Sequence, residues 1–179
     1  MTDLTGKVAL ITGSARGLGK GIAERYGRLG ASVVVNYAGS EEAGQDTVRR
    51  IEDSGGRAIA VQADVSKLAD IDRLFDAGLR AFGRLDIIVA NAGVELPGRA
   101  AVEFDEADFD RLFAVNTKGA IFTMQRAARD VADNGRIIHV GSSTTAFPCP
   151  ATPSMAAARW RPGSSSKSWP RRSGSEGSQ

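Results

Sequence analysis

Cysteine and histidine are almost missing from this chain: Cys149 and His139 stand alone among 179 residues. A lone cysteine excludes an internal disulfide and fits a reducing compartment. One of each also falls short of a Cys/His metal centre, so no metal is expected. His139 lies in the apolar run "RIIHV" with no triad partner in view, and reads as a strand residue rather than a base. Cys149 sits in "FPCPATP" and reads as an incidental thiol. Long apolar runs are absent too, none approaching the ~18 residues of a membrane span. The opening "MTDLTGKVALITG" lacks the basic and apolar regions of a secretory leader. The expectation is a soluble, cytoplasmic protein with no membrane partner. There is little excess charge either, at +2 overall. Arg159, Arg161, Lys167, Arg171 and Arg172 face only Glu176 near the C-terminus, so the preceding residues carry more acids than bases. A pI near 8.9 that comes from one short segment argues poorly for nucleic-acid binding.

What is present is strong alternation. "KVALI" (Lys7–Ile11), "SVVVN" (Ser32–Asn36), "RAIAVQ" (Arg57–Gln62), "DIIVA" (Asp86–Ala90) and "RIIHV" (Arg136–Val140) are short β-branched runs. They are nearly continuous in apolar character, the pattern of strands covered on both faces. Between them, Gly17–Leu29, Glu41–Ser54, Lys67–Phe82 and Asp105–Ala132 have helical spacing. Ile71, Leu74, Phe75, Leu79 and Phe82 form one apolar stripe, with Ser66 placed to cap that helix. Strand–helix alternation predicts right-handed βαβ units and an α/β fold with a parallel sheet. The length suits one domain.

"TGSARGLG" (Thr12–Gly19) follows the first strand and opens the first helix. Gly13, Gly17 and Gly19 allow a tight turn and the close approach of a pyrophosphate to free N–H groups at the helix start. Ser14, Arg16 and Leu18 complete the candidate cradle. A glycine-rich turn without a ligand would carry similar letters, but the strand before it and the helix after it favour the nucleotide reading. At the end of the second strand an acid would bind the ribose 2′-hydroxyl of NAD. Asn36 and Tyr37 stand there instead, with Arg16 nearby, which favours NADP over NAD. The bland alternative is that Asn36 ends a strand and Arg16 is solvated.

Taken together, the glycine turn, "DV" at Asp64–Val65, "NAG" at Asn91–Gly93, Asn116 in "FAVNTKG" and Ser142 in "HVGSS" resemble the short-chain dehydrogenase/reductase family in order and spacing. The resemblance spans about residues 5–155. It implies a three-layer, Rossmann-like, doubly wound parallel sheet, here incomplete at its C-terminal end. It implies that Asp64 and Val65 border the adenine and that Asn91, Ala92 and Gly93 line the nucleotide site. It further implies hydride transfer between the cofactor and a carbonyl or secondary-alcohol substrate. In that chemistry Ser142 polarises the carbonyl, and Asn116 supports a water leading to a catalytic Lys. Read singly, Asn116 could be a packing feature, and Ser142 or Ser143 could cap a turn. Family assembly as a homotetramer is implied as well, but one of the long helices that would join subunits has no counterpart here.

The family's general acid/base Tyr and its Lys, one helical turn later, fall on Met155 and Arg159. A thioether has no proton to give, and a guanidinium differs in shape and reach from an ammonium. From here the composition changes abruptly. Residues 156–179 hold no Leu, Ile, Val or Phe and are rich in Ser, Arg and Gly, a composition unable to bury enough apolar surface to order itself. One expectation joins both facts: a shift of reading frame just before residue 155. A Ser codon ending in T followed by ATG contains TAT, and "MAAAR" read one base earlier can give Tyr-Gly-x-Ser-Lys. The domain is therefore expected over 1–155, with 156–179 an appended tail.

Overall fold

The computed structural model describes residues 2–96 and 103–142. Five strands form one fully parallel sheet in the order β3-β2-β1-β4-β5. They are β1 (Val8–Ile11), β2 (Ser32–Tyr37), β3 (Arg57–Gln62), β4 (Ile87–Ala90) and β5 (Arg136–His139). The chain steps outward from β1 to β3, then returns to the other side of β1 with β4. That reversal opens a crevice at the C-terminal ends of β1 and β4, the ligand-binding position of open α/β sheets.

The pleat divides the core. Val8 and Leu10 of β1, Val34 and Ile88 pack beneath Ile71, Leu74 and Phe75 of helix α3 (Leu68–Phe82). Ala9 and Ile11, with Val33, Val35 and Val89, pack instead against Ala23 of α1 (Gly17–Arg28) and Val48 and Ile51 of α2 (Glu41–Asp53). Every residue of β1 and β4 is buried, as their unbroken apolar runs require. Strand β5 departs from that expectation. Ile137 and Ile138, on opposite faces, are each 39% exposed, so among the described residues neither face of this edge strand is fully covered.

Two local expectations change. Ser66 does not cap α3: its N–H and hydroxyl both donate to Asp64 Oδ1, at 3.0 and 2.7 Å, while Lys67 N–H donates to the Asp64 carbonyl. This turn holds Ser66 back, and the helix begins after Lys67 with no side-chain cap. The helix expected over Asp105–Ala132 is α4 (Glu106–Phe113), a π-helical segment (Ala114–Gly119) and α5 (Ala120–Asp130). A π turn lets a helix accommodate one local misfit. Gly119 presses here against Val65, whose carbonyl oxygen lies 2.9 Å from where a Cβ would stand. Across the same face Arg126 of α5 donates to Asp72 and Asp76 of α3, at 2.6 and 2.7 Å, joining the two helices.

Candidate functional site

The crevice is a cleft of about 920 Å³ running from the glycine turn across the end of β2 to the β4 and β5 loops. Gly13 takes φ +64, and a Cβ on it would stand 2.9 Å from Ala92 Cα. A Cβ on Gly19 would stand 2.4 Å from the Gly13 carbonyl oxygen and 2.5 Å from Asn91 Nδ2. Only glycine lets turn, helix and β4 loop meet this closely. Helix α1 makes its first backbone bond from Lys20 N–H to the Arg16 carbonyl, with no side-chain cap. The N–H groups of Gly17, Leu18 and Gly19 therefore take no partner among the described residues. They mark the anion-attracting end of the helix dipole. Arg16 is exposed at the same rim, and Leu18 is 64% exposed.

Of the residues expected to touch a nucleotide, Gly13, Arg16, Gly17, Leu18, Gly19, Asn36, Tyr37, Asp64, Val65, Asn91, Ala92 and Gly93 line this cleft. Ser14 does not. Its hydroxyl donates to the Ile11 carbonyl at 2.7 Å and accepts from Asn36 N–H at 2.9 Å, fully buried behind the turn. Asn36 is only 2% exposed, and its amide is engaged with backbone rather than held out to the cleft. Oδ1 accepts from Gly13 N–H at 2.9 Å, and Nδ2 donates to the Ala63 carbonyl at 2.9 Å. Tyr37 is buried against Gly44, and burial, with a smaller push from Glu41, raises its phenol above the ordinary range.

Asn91 Nδ2 donates to the Thr12 carbonyl at 2.9 Å, tying β4 to the turn. Thr12, which the motif alone marked only as its first letter, is the other half of this tie. Its hydroxyl oxygen accepts from Asn91 N–H and Ala92 N–H at 2.9 and 3.0 Å. Asn116, also 2% exposed, places Oδ1 on Val94 N–H at 2.8 Å and Nδ2 on the Val94 carbonyl at 2.9 Å. Its side chain thus fixes the β4 loop, with both amide atoms committed to Val94. Gly141 lines the cleft and Ser142 follows it, half-buried. Met155 and Arg159, with the tail, lie outside the described residues. Sequence reasoning missed Arg111 of α4, an exposed cation on the cleft wall near Val94 and Val115, because no motif surrounds it. Among the described residues no cluster of His, Cys, Asp and Glu is placed to hold a metal, and no helix is long and apolar enough to cross a membrane.

The family model described as short chain dehydrogenase matches residues 7–162. The chain belongs to the short-chain dehydrogenase/reductase family. It is 47% identical over 148 residues to a short-chain dehydrogenase/reductase of Pestalotiopsis microspora, covering 82% of this chain and 56% of that protein. A hydroxynaphthalene reductase-like protein of Metarhizium robertsii is 46% identical over 140 residues, 78% of this chain and 52% of its own length. Among solved structures, the landomycin C-6 ketoreductase with bound NADP and rabelomycin superposes with a TM-score of 0.81 at 41% identity, covering 88% of this chain and 66% of that one. The chain thus spans about half the length of the curated short-chain dehydrogenase/reductase relatives it matches.

Proposed function

We propose that residues 1–155 form the NADP-binding part of a cytoplasmic reductase of this family, acting on a carbonyl or secondary alcohol. The observation that carries the reading is the cleft rim, where three N–H groups of α1 that take no partner among the described residues, two close-approach glycines and Arg16 converge. This set fits a dinucleotide. The N–H groups would hold the pyrophosphate, and Arg16 would face the 2′-phosphate. Bound, the cofactor supplies or accepts a hydride at its nicotinamide ring. On the protein side, Ser142 would donate a hydrogen bond to the substrate oxygen, and Asn116 would hold the Val94 loop that borders it. The landomycin reductase with its bound NADP supports the choice of cofactor. The names of the relatives support a ketone on a fused aromatic system as substrate class.

A second reading rests on Met155 and Arg159: the chain binds NADP but turns nothing over. The acid/base Tyr and its Lys are replaced, and 156–179 reads as the following helix in another frame. Curated relatives match over 140 to 148 residues, close to the length that precedes the change in composition. Family-type tetramers would likewise need the helix after β5.

Nicotinamide fluorescence on adding NADPH, followed by turnover on a panel of aromatic and aliphatic ketones, separates the two readings. Binding with turnover supports the first and binding without turnover the second; absence of binding sinks both. Met155→Tyr with Arg159→Lys should stay inactive, since residues 156–179 still lack the apolar side chains a packed helix after the Lys would need. Codons 150–180 unable to encode Tyr and Lys in the neighbouring frame would remove the frameshift.

A further inference from the structure

Position 36 is where a residue at the end of β2 would be expected to read the ribose. The geometry assigns Asn36 another task. Its four polar groups are all paired, and three of them hold the glycine turn. Its carbonyl accepts from Ser14 N–H, its N–H donates to Ser14 Oγ, and Oδ1 accepts from Gly13 N–H, each at 2.9 Å. Nδ2 points the other way, 2.9 Å from the Ala63 carbonyl, with the Tyr37 and Val61 carbonyls at 3.3 and 3.4 Å. Asn36 thus spans β1's turn and the end of β3 from the strand between them. Gly13 and Ser14 N–H are thereby committed to Asn36, while the N–H groups at the helix start take no partner among the described residues.

We infer that Asn36 is a positioning residue, holding the glycine turn in its binding shape through Gly13, and that it does not read the cofactor's 2′ group. This rests on the nucleotide-binding reading above. A primary amide is required because acceptor and donor must leave opposite ends of one short side chain. A carboxylate could still accept from Gly13. Its second oxygen, however, would meet three carbonyl oxygens in a buried space, where an unpaired charge is costly. Asn36→Asp therefore does not create an NAD enzyme. Discrimination falls to groups exposed on the cleft, Arg16 first.

The test uses the full chain with NADPH and NADH as probes, both followed by nicotinamide fluorescence. Asn36→Ala and Asn36→Asp should weaken both cofactors by about tenfold. The NADPH-to-NADH preference should stay within about twofold of the unaltered chain. Arg16→Ala should lower that preference itself. A gain of NADH over NADPH in Asn36→Asp would overturn the inference, as would unchanged binding in Asn36→Ala. Because either variant could unfold, hydrogen exchange at the Gly13 amide of the unaltered, cofactor-free chain is measured as well. Slow exchange is expected, and exchange at the rate of an open loop would sink the clamp. If the unaltered chain binds neither cofactor, the function reading fails, and Gly13 exchange still decides the clamp.

Discussion

The two ends of the central strands are held by opposite chemistry. At the N-terminal end of β1 and β4 the clamp is a charge. The buried Asp86 carboxylate accepts from Val8 N–H at 3.0 Å, from Arg84 at 2.9 and 2.6 Å, and from Lys7 at 3.4 Å. At the cleft end the same task falls to neutral groups, the amides of Asn36 and Asn91 and the hydroxyls of Thr12 and Ser14. Both ends must pair backbone groups that cannot reach water. Only one of them faces a site for an anion. A carboxylate among the cleft clamps would oppose a phosphate at close range, whereas an amide pairs the backbone without adding charge. At the far end nothing competes with the negative charge, and Arg84 can balance it.

The comparison can be broken most severely at Gly19. Gly19→Ala puts a methyl against the Gly13 carbonyl and the Asn91 amide, both held by backbone ties. Loss of about 3 kcal/mol in urea unfolding is expected, together with loss of NADPH binding. One variant at each end comes next. Asp86→Ala removes the acceptor of Val8 N–H, and Thr12→Val removes the hydroxyl that accepts from Asn91 and Ala92 N–H. Each should cost about 2 kcal/mol at neutral pH.

Acid then separates these two. Burial pushes the Asp86 carboxyl up, but Arg84, Val8 N–H and Lys7 outweigh it and hold it below its ordinary 3.8. A depressed carboxylate stabilises the fold above its unfolded pKa and loses that contribution as pH falls through the folded value. The gap between the unaltered chain and Asp86→Ala should therefore shrink below about pH 4, while the gap to Thr12→Val persists. Thermal melts across pH 7 to 2.5 would show parallel curves if charge has no part at that end. Asp46, held at about 2 by hydrogen bonds from Lys20 and Arg50, titrates alike in all three chains and leaves this comparison unchanged.

Smaller effects refine the picture. Ser40 lies on the cleft rim and caps α2 by accepting from Ala43 N–H at 3.2 Å. Ser40→Ala should lower stability by about 1 kcal/mol in the same unfolding experiment. Lys7, half-exposed and the most distant of Asp86's donors, should matter least: Lys7→Ala is expected within about 0.5 kcal/mol of the unaltered chain. A larger loss would mean that the charged clamp depends on the whole cluster rather than on Arg84 and Val8.

The sequence by itself determined the five strands, the helices between them and the glycine turn. Those features are local: apolar period, β-branched runs and glycine spacing act between near neighbours, and the strand edges moved by only a residue or so. It also marked the cleft, because a turn between a strand and a helix carries its own anion-binding end. Tertiary structure decided what each marked side chain does there. Ser14 and Arg16 are two letters of one motif, yet one is sealed behind the turn and the other stands at the rim. The sequence marks Asn36 by its lack of charge alone; that its amide is closed between Gly13 and Ala63, distant in sequence, only the fold decides. Asn116 turned to Val94, Ser66 to Asp64, and the long helix took a π segment where Gly119 meets Val65. A hydrogen bond consumes a side chain's capacity only once its partner has arrived. For Asn36 and Asn116 the partner arrives from a distant part of the chain, so no local pattern could have assigned it; Ser66 finds its partner only two residues away.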